Sequence, residues 1–385
     1  MKKVLYVTTV SRTINAFLIP HIEMLIKNGF KVDCASKLDK VIDIKLMRKG
    51  VKFYEVPFSR NPLSTGNIKA FFKLCDIQRI NNYDAIHVHT PIAGIYTRLL
   101  KLKFPDVKII YTAHGYHFMK KGSFMGWLLY YPIEKVIANF TDVIININNE
   151  DYEVTKNKIN PERCYLINGV GLDLKKYREL SPVDIRNKKL ELNLKVKDFV
   201  IVMIAEINKN KNHIQLIKAM SKLNRVYPDI KVLCVGEGNE LPKLKKIIKK
   251  KGLENNIEFL GFRTDINELI NISDIGILLS YREGLPRNIM EFIACNKKVI
   301  ATDIRGCRDI IINDELGTLV DVGDYKATAR AIEKSYLERE NINDLSEYSK
   351  KYDINQINNE LIDIYTDLLG DERYISGKAL YATNK

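Results

Sequence analysis

The chain has 385 residues, 46% of them hydrophobic and 28% charged, with a net charge of +14. That length supports two domains, each with its own core. No uninterrupted apolar run reaches membrane-spanning length, which excludes an integral α-helical membrane protein. The charge is uneven: residues 1–185 hold 28 Lys and Arg against 17 Asp and Glu, and residues 186–385 hold 33 against 30. A basic first half suits anionic lipid, an acidic acceptor or nucleic acid, although a chain rich in Ile, Lys and Asn throughout also drifts basic without purpose. Cys34, Cys75, Cys164, Cys234, Cys295 and Cys307 form no C-x-x-C pair, so reduced thiols are expected and zinc is not.

The start, Met1-Lys2-Lys3-Val4-Leu5-Tyr6-Val7, resembles a secretory signal only superficially, because Ser11, Arg12 and Asn15 soon break its apolar part. It reads as a first strand, so the protein is expected to stay in the cytoplasm. Strands are predicted at 4–8, 32–35, 85–89, 108–112 and 143–147, with helices at 16–27, 68–80 and 92–103. This alternation is the mark of a parallel sheet flanked by helices. Ligands on such sheets bind beyond the carboxyl ends of the strands, here residues 9–15, 87–91 and 113–117.

Arg12 reads either as a group for a phosphate or acceptor anion or as a surface arginine. His87 and His89 share one face of a strand. A metal pair is conceivable there, but no carboxylate or third histidine stands nearby in sequence, so no metal is expected. From Phe118 through Trp127 to Tyr131, aromatic and methionine side chains accompany Lys120 and Lys121. That composition suits an interfacial helix touching lipid or a lipid acceptor, and equally a core helix.

Residues 175–188 are polar and read as a linker. Beyond it the pattern repeats, with strands at 199–204, 231–235, 257–260, 275–279 and 298–301 and helices at 214–223, 241–251 and 266–272. Thr264 is placed to cap the helix that follows it. Gly236 and Gly238 form a strand-ending G-x-G, by itself a weak turn signal. Residues 352–369 are helical in pattern, and 370–385 look frayed.

The most informative stretch is Ser280-Tyr281-Arg282-Glu283-Gly284-Leu285-Pro286-Arg287-Asn288-Ile289-Met290-Glu291. It reads as buried strand, tight loop and helix. Gly284 allows close backbone approach and Pro286 suits a first helical turn. Free N–H groups at such a helix start attract anions or hydroxyls. Glu283 and Glu291 bracket that start as acceptor-only groups for a polyhydroxylated, phosphorylated ligand. The plainer alternative pairs Glu291 with Arg287 one turn back and leaves Glu283 solvated.

This segment resembles the E-x7-E element of the family 4 retaining glycosyltransferases, enzymes of the GT-B fold. The resemblance implies an α/β protein with two doubly wound, Rossmann-like domains facing across a cleft. It assigns Glu283 to the donor sugar, the loop Gly284, Leu285 and Pro286 to the same ligand, and Glu291 to the ribose. Tyr111-Thr112-Ala113-His114-Gly115 resembles the family's H-G element, which assigns His114 to the donor sugar and to charge developing at the reacting centre. Lys211 matches a lysine that grips the diphosphate, and the loop holding Gly236 lies near the nucleotide in the family. Two departures stand out: the first loop, residues 9–15, lacks glycine, and Glu206 replaces an expected arginine. A lost guanidinium fork is not a conservative change, so Lys209 is the expected substitute. Asn168-Gly169-Val170 resembles the segment that closes the first domain. The implied domains are 1–170, with helix 353–369 packed back on it, and 171–352. The run Arg305-Gly306-Cys307-Arg308-Asp309-Ile310 resembles capsule- and exopolysaccharide-building members most.

Together these imply transfer of a sugar, of the N-acetylated hexosamine type, from a UDP-sugar to a lipid-linked glycan, with retention. No cofactor is expected. No D-x-D occurs in the chain, so no metal is expected either, and Lys211 with the helix start at 284–286 takes the leaving charge. The expected location is the cytoplasm, or peripherally the inner face of the cell membrane, held by the basic N-terminal domain and the Phe118 to Tyr131 segment. Two rivals remain open: a UDP-sugar 2-epimerase of the same fold, and a basic nucleic-acid module. Nucleic acid is not an expected partner, because the basic residues form no aromatic-interleaved block.

Overall fold

The computed structural model describes residues 1–62, 64–120, 124–339 and 344–370. It divides into two compact units. One comprises Met1–Gly171 with the C-terminal segment from Ile354, and the other Leu172–Asp353. The frayed-tail residues 371–385 and the lysine at 121 lie outside the described residues.

The first unit holds seven parallel strands: β1 (Lys3–Val10), β2 (Lys31–Lys37), β3 (Phe53–Glu55), β4 (Ala85–Val88), β5 (Lys108–Ala113), β6 (Val143–Asn146) and β7 (Cys164–Leu166). Their order is β3-β2-β1-β4-β5-β6-β7, with Val4 opposite both Val32 and Ala85. The strands β1, β4, β5 and β6 are buried almost throughout, the apolar runs expected of a sheet covered on both faces. The C-terminal helix, Ile354–Leu369, packs in this unit beside the helix Ile19–Lys27. Its Tyr365 reaches the end of β4, with the hydroxyl 2.7 Å from His87 Nδ1.

The second unit holds six parallel strands: β8 (Phe199–Ile204), β9 (Ile230–Val235), β10 (Ile257–Gly261), β11 (Ile275–Leu278), β12 (Lys298–Thr302) and β13 (Gly317–Val320). Their order is β10-β9-β8-β11-β12-β13. The order in which strands are added therefore reverses once in each parallel sheet, between β1 and β4 in the first and between β8 and β11 in the second. Ligands in doubly wound sheets settle beyond the carboxyl ends at such a switch point.

Three local expectations need correction. The stretch 175–188 is not wholly linker, because Pro182–Glu191 is a helix. Ser181 caps it and Pro182 starts it, but it buries no side chain and so shows no apolar period. Asp265, not Thr264, is the cap residue of the helix Ile266–Ile272, and its carboxylate is taken by Arg263 and Lys188. Pro286 stands one place earlier than expected, as the cap of the helix Arg287–Ala294. All six cysteines are free thiols. Among the described residues, no helix is long and apolar enough to cross a membrane.

Candidate active site

Lys211 sits in the turn after β8, and Glu283 in the loop after β11, on the two sides of the second sheet's switch point. Lys211 Nζ lies 2.5 Å from Glu283 Oε1, with both side chains largely withdrawn from water. The turn is built by asparagines. The Asn208 side chain accepts from Lys211 N (3.1 Å), and Asn212 takes the left-handed conformation that ends the turn. Asn210 then ties the turn to the loop: its carbonyl accepts from Tyr281 N (2.8 Å) and its amide donates to Arg282 O (3.0 Å).

Glycines set how closely the neighbouring loops approach. A Cβ on Gly236 would lie 2.2 Å from Ala205 O, and one on Gly238 2.1 Å from Ile207 O. The G-x-G after β9 thus lets two backbones touch and fixes the path into the Lys209–Lys211 turn. Beneath the other loop, buried Arg305 donates from Nε to Glu283 O at 3.0 Å. Sequence reasoning missed this arginine as a support; its only signal was adjacency to Gly306.

The helix Arg287–Ala294 buries Ile289, Met290, Phe292 and Ile293, and its start carries no side-chain cap. The Ile289 N–H is taken by Asn288 Oδ1 and Pro286 O, so the N–H groups of Arg287 and Asn288 are the ones this start offers a ligand, after the Gly284-Leu285-Pro286 approach. Glu291 is 7% exposed and lies 3.1 Å from Arg287 Nε. Burial pushes its carboxyl above the ordinary range, against the pull of Arg287 and of a hydrogen bond from Tyr177. The plainer alternative therefore holds for Glu291, which does pair one turn back, and fails for Glu283, which is paired and not solvated. Tyr177 was missed because it lies in the stretch read as linker.

In the first unit, β4 and β5 deliver histidines. His114 follows β5, and its Nε2 lies 3.3 Å from His89 Nδ1. His21, His87, His89 and His114, four of the chain's six histidines, line one small hollow. A third and a fourth histidine do stand near the His87 and His89 pair, in space and not in sequence. Among the described residues no group of three or more His, Cys, Asp or Glu is placed to hold a metal ion. Both His87 ring nitrogens are taken, by the hydroxyls of Tyr365 and Thr112, each at 2.7 Å. Burial and the neighbouring histidines hold His87 and His89 well below the usual histidine range, and burial with His21 brings His114 down to about 4.

The segment from Phe118 to Tyr131 divides its residues between two environments. Phe118 is buried, and Trp127 packs against it while donating from Nε1 to Met119 O (3.1 Å). The helix Phe124–Ile137 turns Phe124, Met125, Leu128, Leu129, Ile133 and Val136 outward, all at least 42% exposed. The sole tryptophan is thus an inward residue, and the outward face is mostly aliphatic, with Phe124 and Tyr130 exposed on it.

Comparison with known proteins decides the family. The Glycosyl transferases group 1 model matches residues 184–352 and the Glycosyl transferase 4-like model residues 3–148. EpsD of Bacillus subtilis (strain 168), itself named a glycosyltransferase by assignment, is 35% identical over 353 residues, 91% of each chain. The chain belongs to the family 4 glycosyltransferases. A UDP-Gal:α-D-GlcNAc-diphosphoundecaprenol α-1,3-galactosyltransferase of Escherichia coli is 26% identical over 73% of each chain. The capsular polysaccharide biosynthesis glycosyltransferase CapM of Staphylococcus aureus is 23% identical over 86% of this chain and 87% of its own. Among solved structures, Anabaena HepE in complex with UDP superposes with a TM-score of 0.79 at 20% identity, covering 95% of this chain and all of the other. That likeness establishes the GT-B fold.

For this glycosyltransferase the structure brings Lys211, Glu283, Gly284, Leu285 and Pro286 to one switch point, with Glu291 one helical turn further. It does not gather every expected residue. Glu206 and Lys209 are exposed, and Lys209 stands on the outer side of the turn that holds Lys211, lining a separate hollow with His213 and Tyr281. Arg12 is engaged by Asp39 through both its backbone N–H and its guanidinium.

Proposed function

We propose that this family 4 glycosyltransferase takes a UDP-linked sugar, of the N-acetylated hexosamine type, and transfers it with retention to a lipid-linked glycan in cell-surface polysaccharide synthesis. The single observation that carries the donor reading is the Lys211–Glu283 pair set beside an uncapped helix start at the second unit's switch point. A diphosphate draws the Lys211 ammonium and the free N–H groups to itself. Glu283 is then released to accept from sugar hydroxyls, and buried Glu291 accepts from the ribose. The family resemblance adds His114 as a contact of the donor sugar. The names of the E. coli relative and the HepE structure, which specify a UDP-sugar with a diphospholipid acceptor and bound UDP, support this choice of substrates.

In the reaction the bond from the anomeric carbon to the UDP oxygen breaks through an oxocarbenium-like transition state. The acceptor hydroxyl attacks the same face, and its proton passes to the departing diphosphate. Lys211 and the helix start hold the charge that develops there, without a metal ion. The outward apolar face of the helix Phe124–Ile137, on the more basic half of the chain, is proposed to rest on an anionic membrane where the acceptor resides.

The test is a thermal-shift panel of nucleotide sugars, followed by the best donor with undecaprenyl-diphosphate-linked sugars, with and without EDTA. Stabilisation by UDP-sugars and UDP release that depends on the lipid acceptor and survives EDTA is the expected result. Interconversion of UDP-N-acetylhexosamines without acceptor would instead favour the epimerase. Glu291→Ala should retain its fold and lose donor binding; unchanged binding would contradict the assignment.

A further inference from the structure

His114 has two ring nitrogens, and which one carries the proton decides whether it offers the donor sugar an N–H or a lone pair. We propose that His89 is a positioning residue that fixes His114 as the tautomer protonated on Nδ1, so that His114 meets the sugar as a neutral hydrogen-bond donor. The functional half of this inference rests on the donor reading above; the tautomer itself does not.

A count of protons decides between the tautomers. His89 Nδ1 and His114 Nε2 lie 3.3 Å apart, so one of them donates and the other accepts. His89 is 2% exposed, and its Nε2 is buried without a partner. A neutral His89 has a single N–H. Placed on Nε2, that N–H would be a buried donor with nothing to receive it, a costly arrangement and a rare one. Placed on Nδ1, it donates to His114 Nε2 and leaves only a lone pair unmatched. His114 Nε2 must then be the acceptor, and its proton resides on Nδ1. Both rings stay neutral near pH 7, since burial holds them below the usual histidine range.

The His89 ring is itself held. It stacks on Tyr6 with centroids 5.1 Å apart and rings 24° from parallel, and lies 4.0 Å from the His87 ring. His87 is fixed by Tyr365 and Thr112, as described, and the Tyr365 hydroxyl donates to Tyr6 at 3.3 Å. The orientation of His114 therefore descends from four residues that lie behind it on β1, β4, β5 and the C-terminal helix.

The test uses the full chain labelled with 15N in its histidine rings. Long-range 15N–1H spectra of the wild type should show His114 protonated on Nδ1 and His89 protonated on Nδ1. A His114 protonated on Nε2 overturns the proposal outright. In His89→Asn the amide nitrogen replaces Nδ1–H as donor, so the His114 signature and the turnover should persist. In His89→Phe the signature should become mixed, and kcat for acceptor-dependent UDP release from a UDP-N-acetylhexosamine should fall by roughly tenfold to a hundredfold, the scale of losing a partner that orients a functional histidine, with KM little changed. If His89→Phe keeps both the signature and kcat, or His89→Asn loses both, His89 does not set the tautomer. Should no UDP-sugar bind the wild type, the donor reading fails, and the spectra still decide the tautomer.

Discussion

Lys211 Nζ lies 2.5 Å from Glu283 Oε1, so the cation assigned to the donor diphosphate is already neutralised by the carboxylate assigned to the donor sugar. The two groups compete before a donor arrives and divide the ligand afterwards. Removing either one should therefore affect UDP and UDP-sugar differently. Lys211→Met should weaken both by about tenfold or more, the scale of a hydrogen bond to a charged group. Glu283→Gln should weaken the UDP-sugar but bind UDP as tightly as the wild type or more tightly, because the lysine is released. Calorimetric titration with each ligand reads the difference. Equal weakening of UDP and UDP-sugar by Glu283→Gln would show that this carboxylate does not address the sugar.

Gly306 supports the same loop from below. Its φ is +75°, and a Cβ there would lie 2.0 Å from Gly284 O. With φ +75° and ψ −45°, Gly306 lies outside the left-handed helical well, so Gly306→Ala should cost more than the about 1–2 kcal/mol of that well, and in addition push Gly284 away from the helix start. Gly252 has a similar φ of +65° with open space around it. Gly252 is in the left-handed helical well, so Gly252→Ala should cost only about 1–2 kcal/mol. Urea unfolding together with UDP-sugar titration separates the two, with donor affinity lost in the Gly306 variant and kept in the other.

The central strands and most helices were legible because their residues form long apolar runs between turn signals, and the helix at 241–251 was placed to the residue. Strands β3 and β13 were not, being edge strands of three and four residues with partly exposed sides. Glu283, Lys211 and His114 were legible through motif spacing. The groups that hold them were not. Asn210, Arg305 and Tyr177 act through contacts made 72, 22 and 114 residues away in the chain, and spacing carries no trace of these. His21 joins the histidine hollow by the same route.

Arg98 is fully buried, with Nη1 2.8 Å from Glu134 Oε2, Nε bonded to Gly94 O, and its guanidinium 4.1 Å above the Tyr111 ring. It anchors the helix Phe124–Ile137 to β5, the strand that leads to His114. Removing one partner strands a buried charge, and Glu134→Ala should cost about 3–5 kcal/mol. Arg98→Met with Glu134→Leu should recover most of that loss, since both desolvation costs disappear together. A double variant no more stable than Glu134→Ala would show that the pair contributes more than its charges.

The outward face of the same helix should bind lipid. Leu128→Asp with Leu129→Asp changes two residues that are 54% and 51% exposed, so the fold should be unaffected. Cosedimentation with vesicles containing phosphatidylglycerol should fall at least tenfold, from the lost burial of two leucines at about 1.5–3 kcal/mol each. Unchanged binding would place the contact elsewhere on the basic half.

The buried histidines give the first unit a pH dependence whose sign is fixed. His114 is lowered from 6.5 to about 4 by burial and by His21, and His87 and His89 shift the same way. Between those values the unfolded chain takes up protons that the folded chain refuses, so stability falls as pH falls. The contribution is fully present above about 6.5 and is lost progressively toward 4, with His114 alone accounting for roughly 2 kcal/mol at pH 5. Trp127, the only tryptophan, belongs to this unit and reports on it selectively in a two-unit protein. Urea midpoints from tryptophan fluorescence should drop between pH 7 and pH 5, and His114→Asn should reduce that drop. His213, also lowered to about 4, lies in the second unit. His213→Asn should leave the tryptophan-detected drop unchanged, and a drop untouched by His114→Asn would mean that His114 is charged in the fold.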